Sequence, residues 1–172
     1  VVVTLAVPVV AFVGMWGMWG TWAWGMYAYA THDRLGFIEN STVIAAVEEP
    51  CAEMVRSAKG GLPEQPAQRS TALTAFRSTA RSIPTAIESV PARELGKDLP
   101  AAWWAEDWTT LLSAVDEYAS SLRQKGMKAR FAMPLTEDGV SIVTRMNMAA
   151  PEGRAVPDML VALDPSAPVA AD

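Results

Sequence analysis

The side chains able to do chemistry are few and scattered. His32 is the single histidine and Cys51 the single cysteine of 172 residues. An imidazole acts as a base or a ligand, and a thiol as a nucleophile or a ligand, when other ligands or charged partners gather around it. No carboxylate or Cys cluster surrounds His32, which follows a long apolar run and reads as an interfacial polar anchor. A lone Cys at helical spacing reads as a small buried hydrophobe, and it has no partner for an intrachain disulfide. The carboxylates come as adjacent pairs, Glu48-Glu49, Glu106-Asp107 and Asp116-Glu117. Neighbours on a helix point about 100° apart, so no pair offers two carboxylates to one substrate. Asp107 is left to hydrogen-bond within the domain or to pair with Arg145 across it, a structural role. No Gly-rich phosphate loop, nucleophile elbow or zinc spacing is present. Asn40-Ser41-Thr42 fits the N-glycosylation pattern, a match too short to carry weight. The sequence therefore offers no catalytic residue, no cofactor and no metal ligand, and it points away from an enzyme.

What would position any function is the first stretch. From Val1 to Thr31 there is no charged side chain, more than the roughly 20 apolar residues that cross a bilayer core. A soluble core helix of that length would carry a polar stripe. A signal peptide would have a basic start and a small-residue cleavage site, where this chain has Val-Val-Val and bulky Trp. Residues 1–31 are therefore expected to be one transmembrane helix. With no initiator Met and no flanking charge, its natural N-terminus is expected to lie upstream. Gly14, Gly17 and Gly20 interleave with Trp16, Trp19 and Trp22. Either the aromatics mark the outer membrane boundary, or the small residues let a neighbouring helix approach. Since Gly costs helix stability, the second reading makes these six residues candidates for binding a membrane partner. Pro8 could kink the span, as membranes tolerate.

The remaining chain is long enough for one domain. It holds all fourteen Lys and Arg and all nineteen Asp and Glu, a formal charge of −5. That acidity argues against nucleic acid and against electrostatic docking on anionic lipid. The scarcely basic His32-Asp33-Arg34 places the C-terminal side outside the cell, as a periplasmic or extracytoplasmic domain of a plasma (inner) membrane protein.

Within residues 32–148 the periodicity predicts three helices. The first runs through Ile38–Ala58, with Pro50 either opening a new helix or kinking this one. Gly60-Gly61 ends it. The second spans about 67–90, striped by Leu73, Phe76, Ile83 and Ile87, with a bend or break just before Pro84. Arg77 and Arg81 lie one turn apart on another face, solvated or partner-binding. The third runs from an Asp98 cap to about Gln124, before Gly126. Its inner stripe includes Trp104, Trp108, Leu111 and Val115, which with Phe76 should form the core. Beyond Gly126, Arg130–Pro134 and Val140–Thr144 read as extended strands or a small hairpin around Glu137-Asp138-Gly139; a helix starting near Val140 is the alternative. Residues 149–172 form a Pro-rich segment whose Met159, Leu160, Val161 and Leu163 need cover. Met127, Met133, Met146, Met148 and Met159 fill the core or make an adaptable docking surface. The fold class is thus mainly α: one membrane helix, a three-helix extracytoplasmic domain and a short extended part.

A span, a Cys51-bearing helix, Trp104 with Asp107-Trp108, Tyr118-Ala119, Arg145-Met146-Asn147 and Val156-Pro157 make a pattern. It resembles uncharacterised single-pass actinobacterial envelope proteins, and among these the LucB-like accessory subunits of Mce-type lipid importers. The resemblance covers about residues 38–158, and each motif alone is unspecific. It implies no enzymatic activity. Such proteins often carry a second Cys before the last Pro motif; this chain has none, which leaves Cys51 unpaired. The expectation is a non-enzymatic accessory subunit whose partners are the bilayer and a multi-pass membrane protein, in a lipid transporter or a respiratory complex. A free-standing, membrane-anchored lipid- or peptide-binding module is the alternative.

Overall fold

The apolar stripes do become helices. The computed structural model describes residues 36–163, which are mainly helical (67%) with no strand among them. By its contacts the chain divides at Gly36, and the unit beginning at Phe37 is the one described. Residues 1–31, with Gly14, Trp16, Gly17, Trp19, Gly20, Trp22 and His32 beyond, lie outside the described residues. Among the described residues, no helix is long and apolar enough to cross a membrane.

Helix α1, Ser41–Ala58, is capped by Asn40, whose side-chain oxygen accepts from the Thr42 amide at 2.9 Å. Pro50 cannot donate to the turn before it, yet the helix passes through it unbroken. Val43, Val47, Cys51 and Met54 are buried along one stripe, and that packing outweighs the one missing hydrogen bond. Pro50 therefore opens no new helix. Helices α2, Pro66–Ala80, and α3, Ser82–Glu88, meet at Arg81. The break falls where Pro84 needs it, because in the first turn of α3 its missing N–H is one of the unpaired donors anyway. After a single turn, α4 (Ala92–Leu95), comes the longest element, α5 (Leu99–Lys125). Its 27 residues extend about 40 Å. It stops at Gly126, whose φ of 56° suits only a residue without Cβ.

Polar contacts fix how these rods run. Glu39 and Asn40, at the start of α1, donate their amides to Asp98, at the start of α5. Ser70, early in α2, donates to the Ala119 carbonyl, late in α5, at 2.8 Å. So α1 and α5 start together, while α2 and α3 run back between those two ends. Buried side chains from all three rods meet in one core that includes Trp104, Trp108, Leu111 and Val115 (each 0% exposed) and Phe76 (2%).

The hairpin expectation fails. The only pairing among the described residues beyond Gly126 is an isolated bridge, Leu135 to Ser141, closing a turn around Gly139. Val140–Thr144 is no strand; α6, Ile142–Ala149, begins there instead. The β-branched residues read as extended, but Ile142, Val143 and Met146 are all buried, at spacings that only a helix brings to one face. Arg145 pairs with Asp107, and the Ile38 amide donates to the Ala149 carbonyl at 3.1 Å, so α6 runs back towards the start of α5. The chain then crosses the domain with Ala150, Val156 and Leu160 buried, through α7 (Asp158–Val161).

Candidate functional site

Three of the residues singled out in the sequence, Trp104, Asp107 and Trp108, lie in the first half of α5, and Asp107 meets Arg145 there. Asp107 is 3% exposed, and Arg145 grips it with two guanidinium nitrogens, Nε to Oδ2 at 2.9 Å and Nη2 to Oδ1. Of the two roles open to Asp107, this is the cross-domain pair. Its hydrogen bond to Asp107 pushes the Arg145 pKa up against the opposing effect of burial, and the charges of Asp107, Glu106 and Glu137 add to the rise. Beside it, Trp104 and Trp108 meet edge to face, with ring centroids 5.9 Å apart. Neither indole N–H has a hydrogen-bond partner, at a cost of about 1–3 kcal/mol each. Burying roughly 200 Å² of indole contributes on the order of 5 kcal/mol, so burial wins. Asn147 accepts the Val156 amide at 2.7 Å, and Tyr118 stacks edge-on against Phe131 at 5.6 Å. Each packs or bonds against another part of the domain, so the set holds the fold.

Asp98 departs from its expected role. It stands at the N-cap position of α5 but makes no side-chain cap there. Its Oδ2 accepts instead from the amides of Glu39 at 3.0 Å and Asn40 at 2.8 Å, fixing the chain as it enters the neighbouring helix. Asn40 in turn donates from Nδ2 to the Glu94 carbonyl at 3.1 Å. The glycosylation pattern is thus used as a structural knot, since the nitrogen that would carry a sugar is already bonded inside. Sequence reasoning missed this function of Asp98, because its partners are 58 and 59 residues away and are backbone groups.

Comparison with known proteins finds no matching family model, no matching curated protein and no matching solved structure.

Cys51 is buried, and burial pushes its thiol up to about 11, with the Arg154 charge opposing. It is protonated at neutral pH and behaves as a small apolar side chain. Among the described residues no three His, Cys, Asp or Glu side chains stand together as metal ligands. Glu48 and Glu49 are exposed, and Asp116 faces Arg77 at 3.7 Å. Arg77 and Arg81 open onto a cleft of about 330 Å³ between α3 and α5. Glu88 and Asp116 line the same cleft and balance their charge. The larger opening is a shallow groove of about 780 Å³ at the C-terminal end of α1, walled by Val55, Leu62, Pro157, Met159 and Leu163 with Lys59, Arg69 and Asp158 at its edge. Its walls are largely apolar, with the charges at the edge. Of the methionines, Met146 fills the core, whereas Met127 and Met148 are 67% and 66% exposed.

Proposed function

We propose that this chain is a non-enzymatic accessory subunit of an inner-membrane complex, packing its Gly/Trp-rich segment against a multi-pass partner and carrying its helical domain on the extracytoplasmic side. The observation that carries the reading is the uncharged run of residues 1–31 with glycine at 14, 17 and 20. Glycine weakens a helix by about 1 kcal/mol relative to alanine, a cost that close helix contact would offset. The domain is consistent with this role, because Asp98, Asp107, Arg145 and Asn147 are committed to internal contacts. An Mce-type lipid importer is the host suggested by the sequence resemblance, and a respiratory complex is the competing host.

Mild-detergent extraction followed by affinity purification and mass spectrometry tests the reading. Stoichiometric co-purification of a multi-pass protein is the expected result, and Gly17→Leu should reduce it while leaving the domain folded. Unchanged co-purification by that variant would count against the packing role. The groove beside Met159 favours a second reading, a free-standing membrane-anchored module that binds a lipid or apolar peptide. A lone chain that purifies with lipid bound would select it.

A further inference from the structure

Four of the large apolar side chains exposed among the described residues gather at one end of the domain. Phe37, Leu99, Trp103 and Met148 are each at least half exposed. The hydrogen bond from Ile38 to Ala149 sets residue 37 beside the end of α6, and Asp98 ties residues 39 and 40 to the start of α5. Leu99 and Trp103 are one turn apart on the outer side of that helix start. The four therefore surround the point at which the chain enters the domain. From this arrangement we infer that this end of the domain is a bilayer-contact face, seated in the interface of the membrane that residues 1–31 cross. The inference rests on the membrane-anchor part of the proposed function.

Three features select lipid as the occupant. The first is reach. Five residues, His32 to Gly36, separate the uncharged run from Phe37, and five residues span at most roughly 18 Å. An interfacial and headgroup zone is several ångströms deep on each side of the core, so the face around Phe37 is held within a short tether of it. The second is side-chain type: Trp and Phe, with Leu and Met, are apolar bodies suited to the headgroup boundary. The third is polarity. The amides of Ile38, Glu39 and Asn40 are all bonded inside the domain, leaving no open backbone donor in that stretch. The charged rim of Glu39, Arg93, Glu94 and Lys97 sums to zero, and Lys97 and Arg93 both reach Glu94. With the buried Asp98 included this end carries a charge of −1, against −5 for the whole chain, and suits a zwitterionic headgroup layer.

Met127 supplies a control, being as exposed as Met148 but at the other end of α5. The full chain is reconstituted in phosphatidylcholine nanodiscs as Met148→Cys or Met127→Cys and labelled with a nitroxide. Cys51 is buried and protonated, so it stays unlabelled in the folded protein. The ratio of oxygen to nickel-chelate collision rates should be several-fold higher at 148 than at 127. Leu99→Cys should follow 148, and the thermal midpoint by circular dichroism confirms that each variant is folded. Equal, water-like ratios at both positions would overturn the inference. So would a label at 148 shielded from both reagents, which would mean that protein covers the face. Alkaline carbonate extraction separates the two readings: a chain that stays in the membrane with a water-exposed 148 loses only the contact face, and one that washes off loses the anchor too.

Discussion

The two ends of the helical domain are built differently. At the end where the chain enters, the backbone is fastened by directional bonds between residues far apart in sequence: Ile38 to Ala149, Glu39 and Asn40 to Asp98, Asn40 to Glu94. The buried Asp107–Arg145 pair and the Trp104–Trp108 contact lie in the same half of α5. At the other end the chain turns through Gly126, leaves Met127 in solvent and walls an open groove with a single-turn helix. Its long-range polar ties are Ser70 to Ala119 and Arg123 to Ser70, with Arg77 facing Asp116 towards the middle of the helix. Directional buried bonds fix position, whereas apolar contact alone tolerates rearrangement. The tethered end is therefore fixed by more such bonds, though part-buried ones, and the other end relies on fewer, of which Ser70 to Ala119 is fully buried.

The most disruptive break in that contrast is Trp108→Ala. Removing a side chain with no exposed surface should cost about 3–5 kcal/mol, large against the stability of a small domain. Chemical denaturation of the full chain in detergent measures it. Met127→Ala at the far end should stay within about 0.5 kcal/mol. If the two variants denature alike, the difference between the ends is illusory. Next comes the buried ion pair, where the partners should be unequal. Asp107 is buried and Arg145 is half exposed. Arg145→Ala strands a carboxylate in the core and should cost about 3 kcal/mol or more, while Asp107→Ala frees a guanidinium that can turn to water and should cost less. A double variant no worse than Arg145→Ala would locate the penalty in the stranded carboxylate; equal costs for the two single changes would argue against it.

The long rods were legible in the sequence because each carries its own signals. Pro100, the stripe from Trp104 to Leu122 and Gly126 bracket α5 almost to the residue, and Pro84 marks the break at Arg81. What sequence could not supply was tertiary choice. Val140–Thr144 has strand-forming residue types, and only the burial of Ile142, Val143 and Met146 against α5 makes it helical. Pro50 looked like a boundary because local rules disfavour it, and four buried neighbours on the same stripe overrule them. The pairing of Asp107 with Arg145 could be anticipated as one of two roles, since both are chemically distinctive. The partners of Asp98 could not, since any backbone amide looks like any other in a sequence.

That fastening offers a more selective test. Asp98→Ala removes the acceptor of two amides, and hydrogen bonds to a charged group contribute about 1.5–3 kcal/mol. Amide hydrogen exchange should accelerate at Glu39 and Asn40 and spread into the first turn of α1, with exchange around Ser70 and Ala119 unchanged. Asp98→Asn keeps one acceptor and should fall between. Uniform acceleration through both ends would mean that the knot supports the whole domain and not its tethered end alone.

Cys51 lies midway along α1, between the two ends, and it reports how dry the core is there. Folded, the thiol keeps its proton to about 11; the ordinary value is 9.0. Below pH 9 both the folded and the unfolded chain are protonated, so the thiol adds no pH dependence. Between pH 9 and 11 the unfolded chain releases the proton and the folded chain holds it. Stability must therefore fall as pH rises through that window, by about 3 kcal/mol in all. Lysine and tyrosine titrate nearby, so the readout is the difference between the parent and Cys51→Ala, measured by denaturation at pH 8.5, 9.5 and 10.5. The variant should lose the part of the alkaline slope that belongs to the thiol, whatever constant offset the smaller side chain introduces. Parallel slopes would mean that water reaches the middle of α1, and the less fastened end would then extend further into the domain than its packing indicates.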